Sequence, residues 1–356
     1  MLPDQFLQEL KYRSDIEQVI GSYVNLRRRG RTLSGLCPFH SEKSPSFTVY
    51  PENQSFYCFG CQAGGDVINF IRRIENLDYM EAVRFLAQRA GMQVPENAGD
   101  NRTAQLRKRI LELNRDAARY FHRNLMSEAG RPGRAYLIGR GLTKSTITRF
   151  GIGYAGEGWD GLTAAMRQMG YTREELVAAH LANESQKGGI YDVFRNRAIF
   201  PIIDLRGNVI AFGGRNLGEQ GPKYLNSSDT LVFKKSRNLF ALNFAKNSDR
   251  SELILCEGYM DVVSMHQAGF TNAVATLGTA LTEEQSRLIA QYTGEVVLSY
   301  DSDGPGQKAT RRATDLLEAA GVKIRVLSIP DAKDPDEYIK KFGAERFALL
   351  IEGSSS

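Results

Sequence analysis

Asp301 and Asp303 lie one residue apart at the end of the apolar run Glu295-Val-Val-Leu-Ser-Tyr300. Residues two apart on a strand share a face, so these like charges sit side by side and repel unless a cation lies between them. Glu257 and Asp261, in Leu255-Cys-Glu-Gly-Tyr-Met-Asp261, are spaced by about one helical turn. Gly258 permits a sharp strand-to-helix turn there. A third acidic group, Asp331-Ala-Lys-Asp334-Pro-Asp336, comes further on. Oxygen ligands without thiols select hard cations such as Mg2+ or Mn2+. Metals held this way organise a phosphoryl centre. The competing reading is local: an Asp after a strand caps the following helix, and Asp331 is assigned to that kind of role.

Three of the four cysteines fall in one window. Cys37-Pro-Phe-His40 and Cys58-Phe-Gly-Cys61 are two tight pairs with 17 residues between them. Four N and S donors at this spacing suit tetrahedral zinc, and a site filled by four protein ligands is structural. Thr48–Tyr50 and Ser55–Tyr57 read as short strands, which makes a zinc ribbon. Arg27-Arg28-Arg29-Gly30-Arg31 and the aromatics Phe47, Phe56, Tyr57 and Phe59 surround it. Basic side chains with stacking rings suit single-stranded nucleic acid, although some of those rings must pack the ribbon's core. Cys256 lies in a predicted buried strand and reads as a small apolar residue.

The elements that must carry these groups follow from periodicity. Ser14-Asp-Ile-Glu17 reads as a capping box opening a short helix, and a helical stretch runs from about Asp66 to Ala90. Pro95–Asp100 reads as a linker. Leu106, Ile110, Leu113, Ala117, Phe121 and Leu125 recur every three or four residues along a long amphipathic helix. Ala198–Asp204 and Asn208–Phe212 read as strands joined by the turn Leu205-Arg-Gly207. From Glu252 onward strands (Leu253–Cys256, Ala273–Leu277, Val296–Tyr300, Lys323–Ser328) alternate with helices (Tyr259–Gln267, one capped by Thr282, Gln307–Ala320). That alternation predicts a parallel sheet covered by helices. Ligands of such sheets sit beyond the carboxyl ends of the strands, where Glu257, Asp301 and Asp303 fall.

The chain has 356 residues and a net charge of +5. Residues 101–250 hold 25 Lys and Arg against 13 Asp and Glu, while residues 251–356 hold 10 against 16. A basic middle beside an acidic end separates a part that attracts polyanions from a part that holds cations. No apolar run approaches a membrane span, and the N-terminus, with its acids and interrupted apolar pattern, is not a secretory signal. The expectation is a cytoplasmic protein with no membrane partner.

Asp301-Ser-Asp303-Gly resembles the Asp-x-Asp-Gly of phosphohydrolases with an aspartyl nucleophile, but there the pair normally ends the domain's first strand, and here it ends the third. Glu257-Gly-Tyr-Met-Asp261 followed by Asp301-Ser-Asp303-Gly-Pro-Gly-Gln resembles instead the Toprim signature of primases, topoisomerases and some nucleases. With the Cys37/His40/Cys58/Cys61 ribbon in front, the order is similar to that of bacterial replicative DNA primases of the DnaG type. Ala211-Phe-Gly-Gly-Arg215 and Pro222-Lys-Tyr-Leu-Asn-Ser227 resemble that family's basic motifs.

The resemblance implies a divalent-metal-dependent nucleotidyltransferase that starts short RNA primers de novo on a single-stranded DNA template from ribonucleoside triphosphates. It implies one structural Zn2+ and catalytic Mg2+ or Mn2+ on Glu257, Asp301 and Asp303, with Asp261, Asp334 and Asp336 as further acids of the cleft. Arg140, in Gly139-Arg-Gly-Leu142, and Arg215, Lys223 and Lys235 match residues that contact nucleotide or template, as do Asn226, Arg195 and Arg197. The implied fold is α+β overall: a zinc-ribbon DNA-binding domain at 1–95, a linker at 96–101, a mixed α/β basic subdomain at 102–246 and a Toprim α/β parallel-sheet subdomain at 247–345. Residues 346–356 are expected to begin a region missing here, through which family members bind the replicative helicase. Two other classes stay open: a Toprim nuclease, which cuts DNA without nucleotides, and a catalytically inactive fragment that binds single strands.

Overall fold

The computed structural model describes residues 2–40, 42–75, 77–95, 98–186, 188–300 and 304–354. It divides into two compact units. One is made of Met1–Asn101, Thr282–Val296 and Ala313–Ile324, the other of Arg102–Leu281, Val297–Arg312 and Arg325–Ser356.

The first unit opens with α1 (Asp4–Arg13) and α2 (Ile16–Gly21). Ser14 does not cap α2 as its sequence position predicts. Its amide closes α1 on the Leu10 carbonyl, and Asp15 becomes the α2 cap by accepting from the Gln18 amide. A carboxylate at a helix N-terminus is also favoured by the helix dipole. Five antiparallel strands follow in sequential order: β1 (Arg27–Arg29), β2 (Thr32–Gly35), β3 (Phe47–Tyr50), β4 (Ser55–Cys58) and β5 (Gly64–Gly65). Phe47 and Val49 of β3 are buried while Thr48 and Tyr50 are half-buried, the alternation of a one-sided sheet. The helical stretch expected over 66–90 is two helices, α3 (Val67–Ile74) and α4 (Tyr79–Arg89). Asp78 and Glu81 form a reciprocal capping box, which starts a new helix inside that stretch.

α5 (Ala98–Met126) begins inside the stretch read as linker and buries the predicted stripe, with Ile110, Leu113, Ala117, Phe121 and Leu125 inside. Then come α6 (Arg131–Gly139), α7 (Lys144–Arg149), β6 (Gly153–Ala155), α8 (Gly161–Gln168), α9 (Arg173–Ala178) and the hairpin β7 (Ala182–Glu184) and β8 (Ile190–Asp192). β9 (Arg197–Ile203), β10 (Val209–Asn216) and β11 (Tyr224–Asn226) complete an antiparallel sheet of order β11-β10-β9-β6. The β9–β10 turn is held as its composition predicts. The Asp204 carboxylate accepts from the Arg206 and Asn208 amides, and Gly207 takes φ 88°.

After α10 (Leu242–Ala245) the alternating pattern appears: β12 (Leu253–Cys256), α11 (Tyr259–Gln267), β13 (Ala273–Ala275), α12 (Glu283–Ala290), β14 (Glu295–Ser299), α13 (Gly304–Ala319) and β15 (Lys323–Val326). The strands form one sheet in the order β13-β12-β14-β15, with β12 and β13 parallel. Cys256 is fully buried, as an apolar residue would be. Two helices not anticipated from the sequence follow, α14 (Pro335–Phe342) and α15 (Ala344–Glu352). The α14 cap is Asp334, not Asp331. Asp334 accepts from the Glu337 amide and Pro335 occupies the first turn, while Asp331 sits in the preceding loop at φ 61°.

Candidate functional site

The ribbon brings its four predicted donors together. Cys37 and His40 lie on the connection from β2 to β3, Cys58 ends β4 and Cys61 follows in the next turn. All four donor atoms lie within 4.8 Å of one another. Cys37 Sγ is 3.8 Å from Cys61 Sγ, and Cys58 Sγ is 3.8 Å from His40 Nδ1. Tetrahedral zinc with Zn–S bonds of about 2.3 Å holds its sulfurs about 3.8 Å apart, so the donor set fits that ion. Its hydrogen bond with Cys61 and its burial push the Cys37 thiol up. A divalent cation held by these four residues would allow three thiolates to coexist there. Gly60 is required by closeness: a Cβ would lie 2.5 Å from His40 Nε2.

Glu42, which the sequence reading did not single out, organises this loop. Its Oε1 accepts from the Cys37 amide at 2.7 Å and the Ser46 amide at 3.0 Å. Its Oε2 accepts from Ser46 Oγ at 2.5 Å and lies 3.2 Å from His40 Nε2. Burial works against its charge, yet the bonds from Ser46 and Cys37 hold its carboxyl below the ordinary range. A carboxylate behind a ligating imidazole fixes the ring's orientation and raises its basicity. The aromatics divide. Phe47 and Phe56 pack with Phe39 and Phe70 in the core, ring centroids 5.3 to 6.2 Å apart. Phe59 is 66% exposed with Tyr57 against its edge. The β1 arginines are all exposed, and Arg28 pairs with Glu17.

In the second unit, Glu257 leaves β12 exposed and Asp261 lies in the first turn of α11. Gly258 allows the corner, because a Cβ there would stand 2.9 Å from Asp261 Oδ2. Asp301 and Asp303 lie outside the described residues. Tyr300, immediately before them, has its phenol pushed up by burial and then by the charge of Glu257. Glu257 follows the last residue of β12 and Tyr300 the last residue of β14, and β12 and β14 are neighbours in the sheet.

Asp336, expected as a further acid of the cleft, is turned toward protein donors. It is 3% exposed and is satisfied by protein donors: Ser264 Oγ on Oδ1, and Arg140 and Lys340 on Oδ2, each at 2.6 Å. Burial alone would raise its carboxyl; the bonds from Lys340, Ser264 and Arg140 hold it below the usual range.

The basic residues fall into two groups. Arg215 donates to Tyr136 Oη at 3.2 Å and to the Lys223 carbonyl at 3.3 Å, with its guanidinium 5.4 Å from the Tyr224 ring. The phenol of the half-buried Tyr224 is pushed up by burial, and its ring packs against Tyr259 at 5.9 Å, so the Arg215, Tyr136 and Tyr224 group lies against the start of α11, the helix that follows Glu257. Asn226 is fixed there too, accepting from Tyr259 Oη at 2.7 Å and donating to the Leu277 carbonyl at 2.9 Å. Tyr259 in turn stacks on Phe200 at 5.5 Å. Lys223 is exposed, and the Lys235 amide bonds Asp229.

The second group lines a groove of about 600 Å³ that includes Asn196, Asn216, Gln220 and Pro222. There Arg195 lies 3.5 Å over the ring of Trp159, an exposed aromatic the sequence reading passed over. Arg197 differs from the expectation of a contact residue. It is 6% exposed, and its guanidinium donates to the Gly214 and Pro222 carbonyls, fastening the strands beneath the groove.

Comparison with known proteins places three family matches along the chain. The CHC2 zinc finger family matches residues 2–102, the N-terminal domain of the DNA primase catalytic core matches 120–246, and the Toprim-like family matches 254–339. The DNA primase of Clostridium acetobutylicum is 44% identical over 359 residues, covering 100% of this chain and 60% of that protein. That of Halalkalibacterium halodurans is 43% identical, covering 99% and 60%. The chain thus spans about 60% of the length of these curated relatives. No helix among the described residues is long and apolar enough to cross a membrane. A solved DnaG primase catalytic domain bound to single-stranded DNA is 37% identical with TM-score 0.64, covering 70% of this chain and 83% of that one. The Aquifex aeolicus primase structure, with zinc-binding and RNA polymerase domains, is 36% identical with TM-score 0.66, covering 98% of this chain and 85% of that one. With the three modules in one order and the likeness covering 98% of this chain and 85% of a solved two-domain primase chain, this chain belongs to the DnaG-type DNA primase family.

Proposed function

We propose that this chain is the template-directed RNA polymerase portion of a primase, joining ribonucleotides into short primers on single-stranded DNA with release of pyrophosphate. The observation that carries the reading is the Glu257–Asp261 corner at the start of α11, where Tyr259 packs against Tyr224, the ring beside Arg215, and to which Ser264 and Asp336 tie Arg140. A carboxylate corner beside guanidinium groups matches the charge of a nucleoside triphosphate with its counter-cation. Glu257, with Asp301 and Asp303, would hold Mg2+ or Mn2+, and Asp261 adds negative charge from the next turn. Such an ion, when bound, withdraws charge from the α-phosphate and eases deprotonation of the attacking 3′-hydroxyl. Arg215 and Lys223 hold the triphosphate. Arg140 contacts template or nucleotide, and Lys235 adds positive potential.

The groove under Trp159 and Arg195 suits the single-stranded template, because an exposed indole and a guanidinium both stack on bases. We assign residues 1–95 to a ribbon that engages template, 96–101 to the link, 102–246 to the basic subdomain and 247–345 to the catalytic Toprim subdomain. The test incubates the protein with single-stranded DNA and four ribonucleotides, one labelled, in Mg2+ or Mn2+, beside Asp301→Ala. Short labelled RNA from the parent alone supports the reading. Nucleotide-independent cutting of DNA would replace it with a nuclease, and binding without product would leave a single-strand binder.

A further inference from the structure

The stretch Gly139-Arg140-Gly141-Leu142-Thr143 is tied to α11, the helix that starts immediately after the Glu257 corner, by two hydrogen bonds with Gln267 and by one link through Asp336. Ser264, on α11, donates to Asp336 Oδ1, and Asp336 Oδ2 accepts from Arg140, both at 2.6 Å. One turn on, the Gln267 side chain donates to the Gly141 carbonyl at 2.9 Å and accepts from the Thr143 amide at 2.8 Å. Lys340, four residues after Asp336 on α14, supplies the third donor to that carboxylate at 2.6 Å. Gly141 takes φ 81°, and a Cβ there would stand 3.3 Å from Lys340 Cε. Asp336 is 3% exposed, and its three donors leave little open toward a cation.

We propose that Asp336 and Gln267 are positioning residues that fix Arg140 at a set distance from the acidic corner, and that Asp336 is not a metal ligand. Helix α11 is the ruler: its first turn carries Asp261, and its later turns carry Ser264 and Gln267. The acids and the arginine are thus spaced by one rigid element instead of by a flexible loop. This rests on the reading of Arg140 as a template or nucleotide contact.

The test uses Arg140→Ala, Asp336→Asn, Gln267→Ala and the double variant Arg140→Ala/Asp336→Asn. Asparagine preserves the size of Asp336, and Gln267 is exposed, so its truncation does not threaten the core. The first readout is anisotropy of a fluorescein-labelled oligo-dT without metal or nucleotide. The second is Mn2+ affinity by electron paramagnetic resonance. The third is the split of KM and kcat in primer synthesis. Loss of a charged hydrogen bond that orients Arg140 weakens template binding or raises KM about tenfold. Asp336→Asn and Gln267→Ala should share that effect, with Mn2+ affinity within about twofold of the parent. The double variant should be no worse than Arg140→Ala.

A tenfold loss of Mn2+ affinity in Asp336→Asn would make it a metal ligand and overturn the proposal. So would additive losses in the double variant, or losses confined to Arg140→Ala. If Arg140→Ala itself changes neither template binding nor KM, the reading of Arg140 fails with it. The binding readouts need no catalysis, so loss of synthesis alone decides neither.

Discussion

Glu42→Gln isolates one atom of the zinc centre. The substitution keeps the side chain's length and leaves a carbonyl oxygen for the Cys37 and Ser46 amides, which now bond Oε1 at 2.7 and 3.0 Å. Ser46 Oγ can rotate to accept instead of donate. His40 has no such freedom. Its Nδ1 faces the sulfurs, its Nε2 lies 3.2 Å from Glu42 Oε2, and the amide would set a donor against a donor. His40 and Glu42 are only 11% and 10% exposed, so water does not readily replace the lost acceptor. One hydrogen bond to a charged acceptor, lost in a nearly closed site, costs about 2 kcal/mol. That is roughly a 30-fold rise in the zinc dissociation constant, within the range usual for carboxylates behind a ligating histidine. The assay is competition for zinc between the protein and a chromogenic chelator at neutral pH. A change below about threefold, with the ribbon intact by circular dichroism, would refute the view that Glu42 orients the imidazole.

Three further outcomes follow from the geometry. Glu257→Gln should lower primer synthesis about a hundredfold or more while leaving binding of labelled oligo-dT within about twofold, since the role proposed for the corner is to hold a cation and not the strand. Gly213→Ala should cost about 1–3 kcal/mol of stability, read as a lower urea midpoint at unchanged m-value, because the new Cβ would stand 2.5 and 2.6 Å from two Tyr259 ring carbons and 2.7 Å from its hydroxyl. Asp336 has a folded pKa below its ordinary value of 3.8, so its contribution to stability is present above that pH and is lost as pH falls through the folded value. Below about pH 4 the parent should therefore lose stability more steeply than Asp336→Asn, and parallel acid denaturation curves would contradict this.

Some of these features were legible from residue types alone, because the chemistry that requires them is local in sequence. Cys37, His40, Cys58 and Cys61 are paired by short spacing, and the structure needs only one turn of β3 and β4 to join the pairs. The strand-Glu257-Gly258-helix corner is a contiguous segment, and alternation of apolar runs with amphipathic ones sufficed for the sheet and its helices. The long stripe from Ile110 to Leu125 is likewise a property of one helix.

What the sequence could not decide is which of two chemically equal residues faces inward. Phe47, Phe56 and Phe59 read alike, but strand alternation and the contact with Phe70 bury the first two and leave Phe59 in solvent. Arg195 and Arg197 are two apart on one segment, yet one lies on an exposed indole and the other is spent on backbone carbonyls. Asp334 and Asp336 share a motif, yet one caps α14 and the other holds Arg140, 196 residues away in sequence. Ser264 and Gln267 carry no motif at all. Composition and spacing set what chemistry the chain can carry, since ligand type and helix or strand period act over a few residues. Tertiary packing set which carboxylates stand exposed and which face an arginine, since that depends on partners brought together only when the α11 and α14 helices dock.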